Sequence, residues 1–119
     1  MNFIEVTGST KKQKVLTKKI AKWCIGELLP RVRTLDVTIN LLNKLDGNVD
    51  GYQWSGENNR QHFIEINKNL CYDDFVTAVM HEMVHVKQDY RKDNSPIENR
   101  EKEAYEQQEI LFERWKNDN

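Results

Sequence analysis

The feature that most constrains the fold is the pentapeptide His81-Glu82-Met83-Val84-His85, which lies in an apolar segment that begins near Phe75. Two histidines four residues apart on a helix project from the same face, one turn apart. Their imidazole nitrogens can then reach one zinc ion at about 2.0–2.1 Å each. Glu82 points about 100° around the helix from His81, so its carboxylate can reach a water molecule beside such an ion. A zinc site at this motif therefore requires a packed helix and a further ligand from elsewhere in the chain.

Composition predicts a small globular protein. Its 119 residues suit one domain, 1–119, with a single modest core. The net charge of −1 gives no overall attraction for nucleic acid or for a membrane, and no apolar run approaches the ~18 residues that span a bilayer. Cys24 and Cys71 are too few for a disulfide framework, and we expect Cys71 to be buried at a helix start. The first residues lack the layout of a secretory signal, so we expect a cytoplasmic protein; nothing specifies its oligomeric state.

In the first half of the chain, the spacing of hydrophobic residues changes near residue 35 from a helical pattern to alternation. Before that point we expect a helix that begins at Ser9 or Thr10 and ends before Pro30. Its apolar stripe should comprise Val15, Leu16, Ile20, Trp23 and Leu28. Alternation then predicts strands at 35–41, 49–54 and 61–67, and the short turns between them favour a three-stranded antiparallel sheet. Residues 1–8 could form an edge strand or only fasten the terminus.

The second half is expected to form a helical hairpin. The helix that carries both motif histidines should begin at Asp73 or Asp74, one of which caps it, and end near Tyr90. Segment 95–98, Ser-Pro-Ile-Glu, has the capping pattern of a helix start, and the last helix should run to about Lys116. The sequence thus predicts an α+β fold: an N-terminal helix, an antiparallel sheet, and two C-terminal helices packed antiparallel.

A catalytic zinc site usually has three protein ligands and one open position. The only other histidine, His62, lies upstream on a predicted strand, where packing or exposure is its simplest role. A ligand downstream of the motif must therefore be a carboxylate. In an antiparallel hairpin, Glu101 and Glu103 lie at the height of His85. Glu101 shares a helix face with the apolar residues between 104 and 115, so we expect it to be the ligand, with Glu103 as the alternative.

The segment 78–108 resembles the gluzincin metallopeptidases, whose third ligand is a glutamate on a following helix, often in an E-x-x-A-D pattern. The resemblance is carried by the HEMVH motif and by Glu101-Lys-Glu-Ala-Tyr105. The element order is similar to that of minimal gluzincins and, more loosely, of SprT-like metallopeptidases. The resemblance implies a zincin-like domain, Zn²⁺ bound by both motif histidines and Glu101, and Glu82 as general base. Tyr105 stands where many gluzincins have a histidine-orienting aspartate, and the third histidine of SprT-like proteins is absent.

These features favour zinc-dependent hydrolysis of peptide bonds in a protein or peptide substrate. Glu82 would accept a proton from water and deliver it to the leaving amine. Tyr105 or Tyr90 is the candidate phenol for stabilising the tetrahedral intermediate. The alternative is a catalytically inactive module, stabilised by zinc, that binds protein or DNA. Glu82 favours the hydrolase, because a structural site needs ligands but no base.

The first helix carries a row of lysines on its polar side. They are Lys11, Lys12, Lys14, Lys18, Lys19 and Lys22, with no acidic residue before Glu27. A solvated surface is the simpler interpretation of such a charge run. Clustered lysines on one helix are also typical of contacts to phosphates, so nucleic-acid binding through this helix is the alternative.

Overall fold

A computed structural model describes residues 1–118, which form four strands and three α-helices. The elements are β1 (Phe3–Thr7), α1 (Lys11–Leu28), β2 (Asp36–Leu42), β3 (Gly51–Ser55), β4 (Gln61–Asn67), α2 (Tyr72–Tyr90) and α3 (Ile97–Asp118). A short 3₁₀ turn, Asp46–Asn48, precedes β3. The fold is α+β, as predicted. Within the described residues, none of the helices combines the length and the hydropathy needed to cross a membrane.

The sheet differs from the predicted three-stranded antiparallel sheet. It has four strands in the order β1-β2-β4-β3, and only β3 and β4 pair antiparallel. The other two pairings, β1 with β2 and β2 with β4, are parallel. A parallel pair needs a crossover connection, and α1 supplies it between β1 and β2. The prediction was wrong because it paired successive strands, whereas β3 lies at the far edge and β4 returns between β2 and β3.

One face of the sheet packs under the helices and forms the centre of the core. The side chains on this face are at most 1% exposed: Val37, Ile39 and Leu41 from β2, and His62, Ile64 and Ile66 from β4. α2 contacts the two other helices as well as β3 and β4. Side chains on α2 are therefore held from several directions, which suits a helix that must position functional groups.

The helix starts agree with the sequence in part. Thr10 caps α1, because its hydroxyl oxygen accepts a hydrogen bond at 3.2 Å from the backbone N–H three residues later. The N-cap of α2 is Cys71, whereas Asp73 and Asp74 lie in the first turn. Cys71 is exposed, so the expectation that it is buried was wrong. Val15, which was predicted to belong to the apolar stripe of α1, has a side chain that is 59% exposed.

Candidate metal centre

The helices α2 and α3 bring three metal-binding side chains together. The Nε2 atoms of His81 and His85 lie 3.3 Å apart. The Glu101 carboxylate reaches both histidines, with one oxygen 3.2 Å from His81 Nε2 and the other 2.7 Å from His85 Nε2. Two ligands at about 2.0–2.1 Å from a tetrahedral zinc ion lie about 3.3–3.4 Å from each other. The imidazole nitrogens therefore have the separation that such an ion requires.

The antiparallel course of the two helices sets this geometry. Contacts from α2 to α3 run in opposite chain directions: His81 meets Glu101 and Gln108, while Gln88, further along α2, meets Arg100 and Glu103. Both histidine side chains are 12% exposed, so neighbouring groups hold them in place, whereas Glu101 is 40% exposed at the edge of the cluster. The ligand set is thus held by the packing of the two helices and can still be reached from solvent.

A buried glutamine orients the ring of His85. Gln88 is 2% exposed, and its amide nitrogen donates to the Arg100 carbonyl at 2.9 Å and to the Glu103 carboxylate at 2.8 Å. These two acceptors fix the amide so that its oxygen faces His85 Nδ1 at 2.7 Å. Because an amide oxygen only accepts hydrogen bonds, Nδ1 must carry the hydrogen. His85 Nε2 is left with a lone pair that points toward Glu101, the form in which histidine binds a metal.

A second glutamine has the same relation to His81. The amide oxygen of Gln108 lies 2.8 Å from His81 Nδ1. Gluzincins often place an aspartate in this role, at the position where this chain has Tyr105; here the amide of Gln108 supplies the acceptor. Neither Gln108 nor Gln88 was predicted from the sequence to contact a histidine. The signal was helical spacing, because Gln88 is three residues after His85 and Gln108 is seven after Glu101.

The donor set fits a zinc ion. Two imidazole nitrogens and one carboxylate oxygen are ligands that catalytic zinc commonly has. With both Nδ1 atoms protonated, the lone pairs of His81 and His85 face each other and the Glu101 carboxylate, and they repel unless a cation lies among them. Protonating both rings instead would set two positive charges on rings whose centroids are 4.9 Å apart. One divalent cation bound by the three ligand atoms would avoid both of these unfavourable arrangements.

The alternative ligand, Glu103, lies away from the histidines. One oxygen of its carboxylate accepts the hydrogen bond from Gln88, and the other is 3.9 Å from the Lys87 ammonium group. Glu103 therefore supports the glutamine that orients His85. The structure brings Glu101 to the two histidines and leaves Glu103 in this supporting position.

Glu82 lies beside the cluster, between α2 and the edge strand β3. Its side chain is 5% exposed. Burial, with a smaller contribution from the Glu101 carboxylate, raises the pKa of the Glu82 carboxyl group to about 8. A β-carbon at Gly51 would lie 3.0 Å from Glu82 Oε2 and 3.0 Å from the δ-methyl of Ile66. The absence of a side chain at Gly51 is what allows β3 to approach Glu82 this closely.

The cluster opens into a groove of about 740 Å³ between β3 and the two C-terminal helices. Glu82, both histidines and Glu101 line this groove, together with all of β3. Tyr105 also lines it, and its ring centroid is 4.6 Å from that of His81. Tyr90 is at the end of α2, where its carbonyl accepts a hydrogen bond from Asn59. Of the two phenols considered from the sequence, Tyr105 is therefore the one beside the cluster.

No protein-family model, curated protein or solved structure matches this chain. The resemblance to gluzincins thus rests on the HEMVH motif, on the Glu101 carboxylate and on the geometry of helices α2 and α3. Those features are local to α2 and α3 and do not depend on the sheet, whose topology the sequence did not predict.

His62 lies outside the cluster and packs into the sheet. Its side chain is fully buried, and Nε2 donates to the Asn59 carbonyl at 2.8 Å. The amide nitrogen of Gln53 is 3.3 Å from His62 Nδ1 and also donates to Asp89 at 2.9 Å. Burial lowers the pKa of His62, against smaller opposing effects of the Asn59 hydrogen bond and the Asp89 charge. His62 is therefore a strand-packing residue, one of the two roles expected for it.

Proposed function

We propose that this chain is a zinc-dependent metallopeptidase of the gluzincin kind, which hydrolyses peptide bonds in a groove beside β3. The observation that carries the proposal is the convergence of His81, His85 and Glu101, whose ligand atoms lie within 4.8 Å of one another. A buried glutamate, Glu82, stands next to this set in the same groove. A site that served only to stabilise the fold would need metal ligands but no additional buried carboxylate beside them.

The three side chains would hold the metal, and two glutamines would keep their imidazoles in the correct form. Zinc bound there supplies Lewis acidity, which polarises a carbonyl group and lowers the pKa of water. Gln88 and Gln108 keep the hydrogen on Nδ1 of each ring. Partners of this kind typically matter for metal affinity by about 10–100-fold. The chain thus provides both the ligands and the groups that orient them.

Glu82 is proposed as the general base. Its carboxylate accepts a proton from water as the water oxygen bonds to the peptide carbonyl carbon, and it then delivers that proton to the nitrogen as the C–N bond breaks. Its pKa, raised to about 8 by burial, describes the protein without a cation. A neighbouring positive charge favours the ionised form of a carboxyl group, so a cation held by the three ligands would favour the ionised Glu82 carboxylate that accepts the proton.

The groove suits an extended peptide. β3 pairs only with β4, so its other edge has unpaired backbone groups along the groove. A peptide can add to such an edge through main-chain hydrogen bonds while its side chains contact the walls. Exposed aromatic rings stand along these walls, with Trp54 44% and Tyr105 59% exposed. We propose that Tyr105, which contacts His81, also donates its hydroxyl hydrogen to the tetrahedral intermediate.

The decisive test is cleavage of a mixed library of fluorogenic peptides by the zinc-loaded protein and by Glu82→Gln. The amide keeps the shape of the side chain but cannot act as a base, so we expect zinc content to stay and cleavage to fall by at least about 10²-fold. Glu106→Gln, which removes an exposed carboxylate from α3, is the matched control and should cleave normally. Equal cleavage by Glu82→Gln would exclude Glu82 as the base, whereas no cleavage by the wild type would support the inactive zinc-stabilised module instead.

A further inference from the structure

A second groove lies on the other side of the molecule, between β1 and α1. Its volume is about 1160 Å³. β1 lines one wall and a single face of α1 lines the other. None of the metal-binding residues lines it. The proposed hydrolysis therefore does not account for the residues that line this second groove.

The α1 wall of this groove is strongly basic. Four lysines line it, at positions i, i+3, i+7 and i+11 of one helical stripe: Lys11, Lys14, Lys18 and Lys22. Arg33 adds a fifth cation, against two carboxylates, Glu5 and Asp36. Among the described residues, none of the four lysines forms a salt bridge. The charge of this wall is therefore available to a ligand, although the whole chain carries a net charge of −1.

Apolar side chains are exposed in the same groove. Phe3 is 64% and Val15 is 59% exposed, and both line it. Val15 belongs to the apolar stripe of α1, yet it faces this groove instead of the core. A ligand that covered Phe3 and Val15 would remove apolar surface from water, so the groove favours a partner with apolar as well as acidic groups.

The β1 wall is an unpaired sheet edge. Within residues 1–118, β1 pairs only with β2, and the Phe3 N–H donates to the Leu35 carbonyl at the start of that pairing. Alternate residues of a strand direct their backbone groups to opposite sides. The N–H and C=O groups of Ile4 and Val6 therefore point away from β2, where an added strand could bond to them.

The spacing of charges agrees with an added strand. Lys14, Lys18 and Lys22 are four residues apart, which is about 6 Å along a helix. Alternate residues of an extended strand are about 6.6 Å apart and lie on one face. Acidic residues at every second position could thus each meet one lysine, while the residues between them lie on the other face, beside Phe3.

We propose that this groove binds an extended acidic segment of a partner protein, which adds a strand to β1 and places alternate carboxylates against the lysines of α1. A peptide is favoured over nucleic acid because a phosphate backbone cannot form a strand ladder with the backbone groups of Ile4 and Val6. The four lysines that line this groove then form a protein-binding surface instead of a nucleic-acid-binding one.

The test uses fluorescence anisotropy with a labelled ten-residue peptide of alternating Glu and Val. The groove variant replaces Lys14, Lys18 and Lys22 with Gln. The matched control replaces three exposed lysines outside the groove, Lys12, Lys44 and Lys102, with Gln and so has the same net charge. We expect the groove variant to bind at least about tenfold more weakly at low salt, and the control to bind like the wild type. Circular dichroism verifies that both variants are folded.

Two further probes separate the proposal from general charge attraction. A version of the peptide that is N-methylated at alternate residues keeps its charge but cannot complete the strand ladder, so it should bind at least about tenfold more weakly. A DNA oligonucleotide of equal charge should bind more weakly than the peptide. Equal loss in both lysine variants, unchanged binding of the methylated peptide, tighter binding of DNA, or no peptide binding would each overturn the proposal. None of these measurements depends on zinc or on hydrolysis.

Discussion

Two amide oxygens decide which nitrogen of each histidine is free to bind a metal. Gln88 and Gln108 accept from the Nδ1 atoms of His85 and His81, so both Nε2 lone pairs face Glu101. The motif gives the spacing of the histidines, but spacing alone does not select the ring nitrogen. In this protein that selection depends on residues outside the pentapeptide, one on each helix.

Replacing Gln108 with methionine tests this selection. Methionine is similar in size but lacks the amide oxygen, so His81 Nδ1 loses its acceptor and the imidazole its fixed orientation. We expect zinc affinity to fall by about 10–100-fold, measured by competition with a chromophoric chelator. The neighbouring change Gln107→Met is the control, because none of the hydrogen bonds of this cluster involves Gln107. Equal affinity in both variants would show that Gln108 does not orient His81.

Among the elements, the helices could be predicted from the sequence and the sheet order could not. The α2 and α3 predictions depended on local signals, namely apolar spacing and capping residues, and these also placed Glu101 opposite the histidines. Strand β4 was predicted with the bounds it has, Gln61–Asn67. Its antiparallel pairing with β3 was also predicted, but its parallel pairing with β2 was not, because alternation fixes which face of a strand is buried and says nothing about which strand lies beside it. Likewise the exposure of Val15 depends on how far β1 lies from α1, a distance that no local pattern encodes.

The close approach of β3 to α2 gives a testable prediction about Gly51. Gly51→Ala would add a β-carbon 3.0 Å from Glu82 Oε2, so the carboxylate has to move. A displacement of about 1 Å in a catalytic group can cost about 10²-fold in rate, and we expect cleavage to fall while zinc content stays near that of the wild type. The control is Gly26→Ala on α1, where a β-carbon would meet nothing within 4 Å. That change should leave activity intact and stabilise the helix by about 0.5–1 kcal/mol; a similar loss of activity in both variants would contradict the role of Gly51.

Across the whole molecule, buried His62 links stability to pH. Its folded-state pKa lies below the unfolded value of about 6.5. As the pH falls through about 6.5, the unfolded chain binds a proton that the folded chain does not, so the free energy of unfolding decreases. The stabilisation is complete above this pH and is lost on acidification toward the folded-state pKa. Of the groups that contact or act on His62, Gln53 and the Asn59 carbonyl do not titrate, and the charge of Asp89 acts against the shift.

His62→Gln should therefore have a flatter pH profile than the wild type. Urea unfolding of both proteins at pH 7.5 and pH 5.5, with excess chelator to remove metal binding, measures the effect. We expect the wild type to lose more stability than His62→Gln between these values, because only the wild type gains this proton on unfolding. Parallel profiles, or a steeper loss in the variant, would exclude His62 as the source.

The central claim is that His81, His85 and Glu101 together bind one zinc ion, and the zinc content of the purified protein tests it most directly. The account predicts about one zinc ion per chain for the wild type and for Glu106→Gln, whose lost carboxylate lies outside the cluster. It predicts much less than one for His85→Ala and for Glu101→Gln. A wild type without zinc, or variants that retain it in full, would contradict the assignment of these three residues.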